Sequence, residues 1–161
     1  MSELLQSPEE LRDLYRELIL DHARRPRHFG KLDNATHFAE GINPLCGDKL
    51  KMYFSIDDGG QIKDARFEGS GCAISVASAS LLTDTVIGMS ADDALNFFEA
   101  LVARLAIRPG EENRDANGID LGKLTALEGV KEFPSRVKCA TLAWHALHSA
   151  ILRRDAPATT E

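Results

Sequence analysis

Residues 50–57 set the strongest constraint on the fold, because their apolar period is two. Leu50, Met52, Phe54 and Ile56 fall on one face, and Lys51, Tyr53, Ser55 and Asp57 fall on the other. No helix can bury such a pattern, so the stretch predicts a half-buried strand. Asp58-Gly59-Gly60 follows as a hairpin signal. Residues 61–68 predict the returning strand, with Ala65 and Phe67 inward and Ile62 on the wrong face. A shorter strand near 38–42 would pair on the edge, before Asn43-Pro44.

On both sides of these strands the period is helical. Ser7-Pro8-Glu9-Glu10 reads as a helix start, with Ser7 as cap, Pro8 at the first helical position and Glu10 closing a capping box. Leu11, Leu14, Tyr15, Leu18, Ile19 and His22 then share a stripe that fails at Arg24-Arg25-Pro26. After Gly69-Ser70-Gly71, residues 73–87 are rich in alanine, serine and leucine, which suits close packing of a helix on the sheet, and Gly88 ends the run. Ser90 caps the next helix, striped by Ala94, Leu95, Phe98, Leu101, Val102 and Leu105. Residues 108–120 break both periods and predict a loop. Leu121, Leu124 and Leu127 predict a short helix after it. Pro134 opens a last helix to about Leu152 that is apolar on several sides and so is expected to be central.

Helix, strands, then helices predict an α+β sandwich in which a small antiparallel sheet carries helices on one face. A single domain is expected over 1–154, with 155–161 as a frayed tail. A chain of 161 residues buries roughly 70% of its unfolded surface, so a core forms without disulfide staples. The net charge of −6 argues against a nucleic-acid partner, which needs a basic face. No apolar run approaches the roughly 18 residues a membrane helix needs. The segment MSELLQSPEE has no basic stretch before an apolar one, so no secretory signal is expected. Three cysteines argue against a disulfide framework and for a reducing cytoplasm.

Those cysteines occupy the seams between elements. Cys46 lies in the turn Asn43-Pro44-Leu45-Cys46-Gly47-Asp48, Cys72 opens a helix, and Cys139 falls near the start of the last helix. Two of the three thiols are thus expected at helix N-termini, where the partial positive charge favours thiolate. No CxxC pair is present, so a local zinc knuckle is excluded and any site must be assembled by the fold. A small buried apolar side chain is the plain alternative for each cysteine alone. Three thiolates leave one tetrahedral position, and Asp48 can reach it by bending back across Gly47; otherwise Asp48 is an ordinary turn carboxylate. Three thiolates and a carboxylate around Zn²⁺ would sum to about −2. Arg136 and Lys138 are the nearby candidates to compensate that charge; otherwise they are solvated. His22 reads as a core or interface histidine, and His28 and His37 as solvated. His145 and His148 lie too far along the last helix to share a metal with Cys139 easily.

LYRELILDHARRPRHFG, NPLCGD, GSGCAISVASASLL and RVKCATLAWHAL, in this order, resemble the U-type iron–sulfur cluster assembly family of IscU, SufU and the N-terminal domain of NifU. The resemblance runs from about Leu14 to Leu152. It implies an α+β sandwich with the cysteines and the aspartate gathered at one exposed end. It also implies a metal site of Cys46, Asp48, Cys72 and Cys139, with Cys139 as the acceptor of persulfide sulfur from a cysteine desulfurase. Two departures from the scaffold branch, IscU, point to the SufU branch. Lys138 stands where IscU has a histidine, with Phe133-Pro134-Ser135-Arg136-Val137 in place of the Leu-Pro-Pro-Val-Lys motif. The stretch around 108–131 reads as an insertion. The branch resemblance implies bound zinc, a partner desulfurase of SufS type, downstream iron–sulfur assembly proteins, and Arg136 as a branch-typical residue giving electrostatic support. The alternatives are a scaffold that builds and hands on an Fe–S cluster, and a purely structural zinc domain.

Overall fold

The computed structural model describes residues 8–106, 122–130, 133–152 and 158–159. Helix α1 (Pro8–Arg24) precedes three strands, β1 (His37–Asn43), β2 (Asp48–Ile56) and β3 (Ile62–Ser70). Helices α2 (Ala73–Val86) and α3 (Ala91–Ala106) follow, then a 3₁₀ segment (Gly122–Val130), helix α4 (Pro134–Ile151) and a two-residue strand β4 (Ala158–Thr159). The sheet order is β3-β2-β1-β4, with β1, β2 and β3 antiparallel. The α+β sandwich expected from the element order is the observed architecture. The Ser7 cap, the 108–120 loop and Leu121 lie outside the described residues.

One part of the stretch read as a frayed tail is tied down. Ala158 and Thr159 pair parallel to Gly41 and Ile42 on the free edge of β1. That pairing satisfies backbone groups that an edge strand would otherwise leave to water.

The inward face of the sheet carries Leu50, Met52, Phe54, Ala65 and Phe67, all fully buried. Ile62 is also fully buried, contrary to the alternation that placed it outward. Ser55 pairs with Asp64 while Ile56 pairs with Ile62, so Lys63 is an extra residue in β3. A bulge of this kind reverses the facing of what precedes it, and Ile62 turns into the core.

Helix α4 is the central layer. It packs on β1, β2, α2, α3 and the 3₁₀ segment. Its small residues Ala140, Ala143, Ala146 and Ala150 are buried together with Leu142, Trp144 and Leu147. The approach to β1 is so close that a Cβ at Gly41 would sit 3.2 Å from Leu142 Cδ1. Trp144 stacks on Phe97 of α3, with ring centroids 5.6 Å apart. Leu124 and Leu127 are buried; a 3₁₀ turn brings residues three apart onto one face, which suits this pair.

Helix α1 is anchored to α2 through polar groups. His22 is 1% exposed, and its Nδ1 lies 2.7 Å from Ser80 Oγ. The backbone N–H of Arg27 donates to the same Oγ at 2.8 Å. His28, expected to be solvated, lies 3.2 Å from Thr83 Oγ1 and is half-buried. Burial holds the His22 imidazole below its usual 6.5, and the Arg27 charge acts in the same direction. An unfolded chain therefore takes up the His22 proton at higher pH than the folded one does. His22 contributes stability above 6.5 that is lost as the pH falls below that value. The urea midpoint is expected to drop between roughly pH 7 and pH 5, and His22→Gln is expected to flatten that drop. An equal drop in the variant would rule His22 out as a source.

Candidate metal centre

Three junctions of the fold meet at one end of the sheet. The first is the β1–β2 turn. Asn43 and Asp48 face each other as the closing pair of that hairpin, and the chain crosses between them through Pro44-Leu45-Cys46-Gly47. Gly47 takes φ +72°, a conformation glycine adopts without steric strain. The turn leaves Cys46 exposed and Asp48 1% exposed.

The second junction is β3–α2. Cys72 caps α2, and its Sγ accepts from Ser75 N at 3.5 Å. Its own N–H donates to Asp48 Oδ1 at 2.8 Å. Gly71 is required here, because a Cβ at that position would meet Asp48 Oδ1 at 2.7 Å. The third junction is the start of α4. Cys139 lies in the second turn of that helix and is 2% exposed.

Cys46 Sγ, a carboxylate oxygen of Asp48 and Cys139 Sγ lie within 4.8 Å of one another. The two sulfurs are 3.4 Å apart. Cys72, the fourth expected ligand, is not one of this trio: its backbone N–H touches Asp48, while its sulfur caps α2. Two thiols and a carboxylate are donor types that zinc takes in tetrahedral sites, and thiolate also suits iron. The residues present thus fit a bound metal. One further sign of an incomplete polar set is Asn43 Oδ1, a buried acceptor with no hydrogen-bond partner among the described residues.

The helix-terminus argument holds for the placement of Cys72 and not for Cys139. Cys139 sits beyond the first turn, and burial pushes its thiol well up. Its neighbours Cys46, Asp48 and Cys72 act in the same direction. Without a cation the pocket favours the neutral thiol there. Arg136 is exposed at the start of α4, with its guanidinium 5.1 Å from the centroid of the Phe133 ring. Among the described residues no hydrogen bond or ion pair joins it to the cluster. Lys138 is half-buried next to Cys139.

The sequence reasoning missed two residues. Asn43 is fully buried, and its Nδ2 lies 3.5 Å from both Asp48 Oδ2 and Cys139 Sγ. Ser75 is fully buried, and its Oγ donates to Asp48 Oδ2 at 2.7 Å. The signal for Ser75 was its spacing of three from Cys72, which puts both on one face of the helix. Asn43 stood in the quoted NPLCGD motif.

Comparison with known proteins gives one consistent answer. The model of the NifU-like N-terminal domain matches residues 14–140. The chain is 39% identical over 142 residues to the zinc-dependent sulfurtransferase SufU of Bacillus subtilis, covering 88% of this chain and 92% of that one. It is 41% identical over 147 residues to the iron–sulfur cluster assembly scaffold protein IscU of Streptococcus pyogenes, covering 89% and 86%. The crystal structure of FiSufU, described as an iron–sulfur cluster assembly scaffold protein for the SUF system of Fervidobacterium islandicum, superposes with a TM-score of 0.72. The two are 34% identical, with 84% of this chain and 94% of that chain covered. With the cysteine motifs, the sandwich and the matched span in agreement, the chain belongs to the NifU-like N-terminal domain family.

Proposed function

We propose that this protein is a SufU-type component of iron–sulfur cluster assembly that takes persulfide sulfur from a cysteine desulfurase and carries it onward, with zinc at the cluster of cysteines. The observation that carries this reading is the meeting of Cys46, Asp48 and Cys139 within 4.8 Å, together with the similarity to a protein named for zinc-dependent sulfur transfer.

Cys46, Asp48, Cys72 and Cys139 are assigned as the metal ligands. Asp48 is the hardest donor of the four and the readiest to be displaced. When bound, zinc would supply positive charge that keeps the thiols deprotonated, which opposes the upward push of burial on Cys139. Cys139 is the acceptor: its thiolate attacks the outer sulfur of the desulfurase persulfide. A new S–S bond forms on Cys139, the donor's S–S bond breaks, and the desulfurase cysteine leaves as thiolate. Arg136, exposed near the start of α4, supports the anionic groups electrostatically. The partners are a desulfurase of SufS type and downstream assembly proteins in the cytoplasm. Among the described residues, no helix is long and apolar enough to cross a membrane.

Removing the metal with a chelator is expected to leave the far-ultraviolet circular dichroism in place and to abolish desulfurase activation. The reason is that the core of α4 and the sheet is built from apolar side chains outside the cluster, among them Leu50, Phe54 and Trp144. Unfolding on chelation would instead mark the metal as structural. The second reading, a scaffold for a nascent cluster, is favoured by the similarity to IscU proteins. Anaerobic reconstitution with iron and sulfide separates the two: a coloured cluster that transfers to an apoprotein supports the scaffold.

A further inference from the structure

The carboxylate of Asp48 is held from several sides. Oδ1 accepts the Cys72 N–H at 2.8 Å, and Oδ2 accepts the Ser75 hydroxyl at 2.7 Å. The Asn43 amide reaches Oδ2 from the other side at 3.5 Å. A carboxylate offers about four acceptor sites, so three donors leave one for a metal. The Ser75 bond is the shortest of the side-chain contacts, and both its partners are buried. Ser75 Oγ also lies 3.3 Å from the carbonyl oxygen of Cys139, which ties the Asp48 support to the helix that carries the third cysteine.

We infer that Ser75 is a positioning residue for the metal centre, acting through Asp48. This inference rests on Asp48 being a metal ligand. A ligating carboxylate is oriented by the groups that bond to it, and such partners are worth 10- to 100-fold in metal affinity. Without the Ser75 hydroxyl, one carboxylate oxygen loses its strongest side-chain partner. The group is then free to turn away from the two sulfurs. Asn43 cannot replace that bond, because its contact with Oδ2 is long and its amide is shared with Cys139 Sγ.

Zinc affinity of the full-length protein, measured by competition with a chromophoric chelator, tests the inference. Ser75→Ala is expected to weaken zinc binding roughly 10-fold or more. In an Asp48→Ala background the same change is expected to have no further effect. Cobalt loaded in place of zinc provides a spectroscopic readout: the Ser75→Ala spectrum should move toward that of Asp48→Ala. Ser78→Ala is the structural control. Its hydroxyl is equally buried and donates to the Ala140 carbonyl of the same α4, so it is expected to lower stability while leaving zinc affinity unchanged. Unchanged affinity in Ser75→Ala, a loss that adds to that of Asp48→Ala, or an equal loss in Ser78→Ala would overturn the positioning role. Unchanged affinity in Asp48→Ala alone would instead overturn the ligand assignment beneath it.

Discussion

Cys139→Ser is expected to reduce desulfurase activation to the rate seen without this protein. Serine differs by one atom, and the pocket around Cys139 Sγ already offers the Asn43 amide as a donor, so the fold is expected to persist. What is lost is the sulfur that attacks the persulfide, since a serine oxygen forms no S–S bond. Zinc binding is expected to weaken as well, because one soft donor is gone. An assay of sulfide or alanine release, with circular dichroism as the check on folding, reads both effects. Full activation by the variant would move the acceptor role to another thiol. Cys46 is the natural heir, being exposed and only 3.4 Å away.

Trp144→Ala is expected to be the most destabilising single truncation. The side chain is fully buried in the middle of α4 and stacked on Phe97. Removing it leaves a cavity where α4 and α3 meet, and a buried tryptophan or phenylalanine cut to alanine costs about 3–5 kcal/mol. Among the described residues its indole N–H has no partner, so no hydrogen bond to them is lost and the cost is packing. Urea unfolding measures it: the midpoint should fall with the slope unchanged. A loss below about 1 kcal/mol would mean that α4 is not the central layer.

Much of this architecture was readable in one dimension, for reasons that particular residues make clear. The period of two at Leu50, Met52, Phe54 and Ile56 fixed β2, because a slip of one residue would turn every apolar side chain to water. Pro134 marked the start of α4 and Gly88 the end of α2. Ile62 was misread because a bulge is a property of pairing, and pairing with Ile56 cannot be seen along one strand. The pairing of Ala158 and Thr159 was missed for the same reason: two residues carry no period, and the partner edge lies far away in sequence.

The centre was legible in composition and not in depth. The three cysteines and Asp48 stood at element seams, and the family motifs brought them into one set. Sequence position put Cys139 near a helix N-terminus, where the backbone favours thiolate. With α4 starting at Pro134, as expected, Cys139 falls in its second turn and lies under α2 and the β1–β2 turn, where burial favours the thiol. A helix-wheel argument has no term for what covers the helix. The supports of Asp48 were hidden for a similar reason. Asn43 and Ser75 acquire their role only when β1, β2 and α2 meet.

The measurement that tests the account most directly is the metal content of the protein as purified, with a cysteine desulfurase assay run with and without it. One tightly bound zinc per chain together with strong activation is the predicted result. Iron with acid-labile sulfide, and little activation, would contradict it and favour a cluster scaffold.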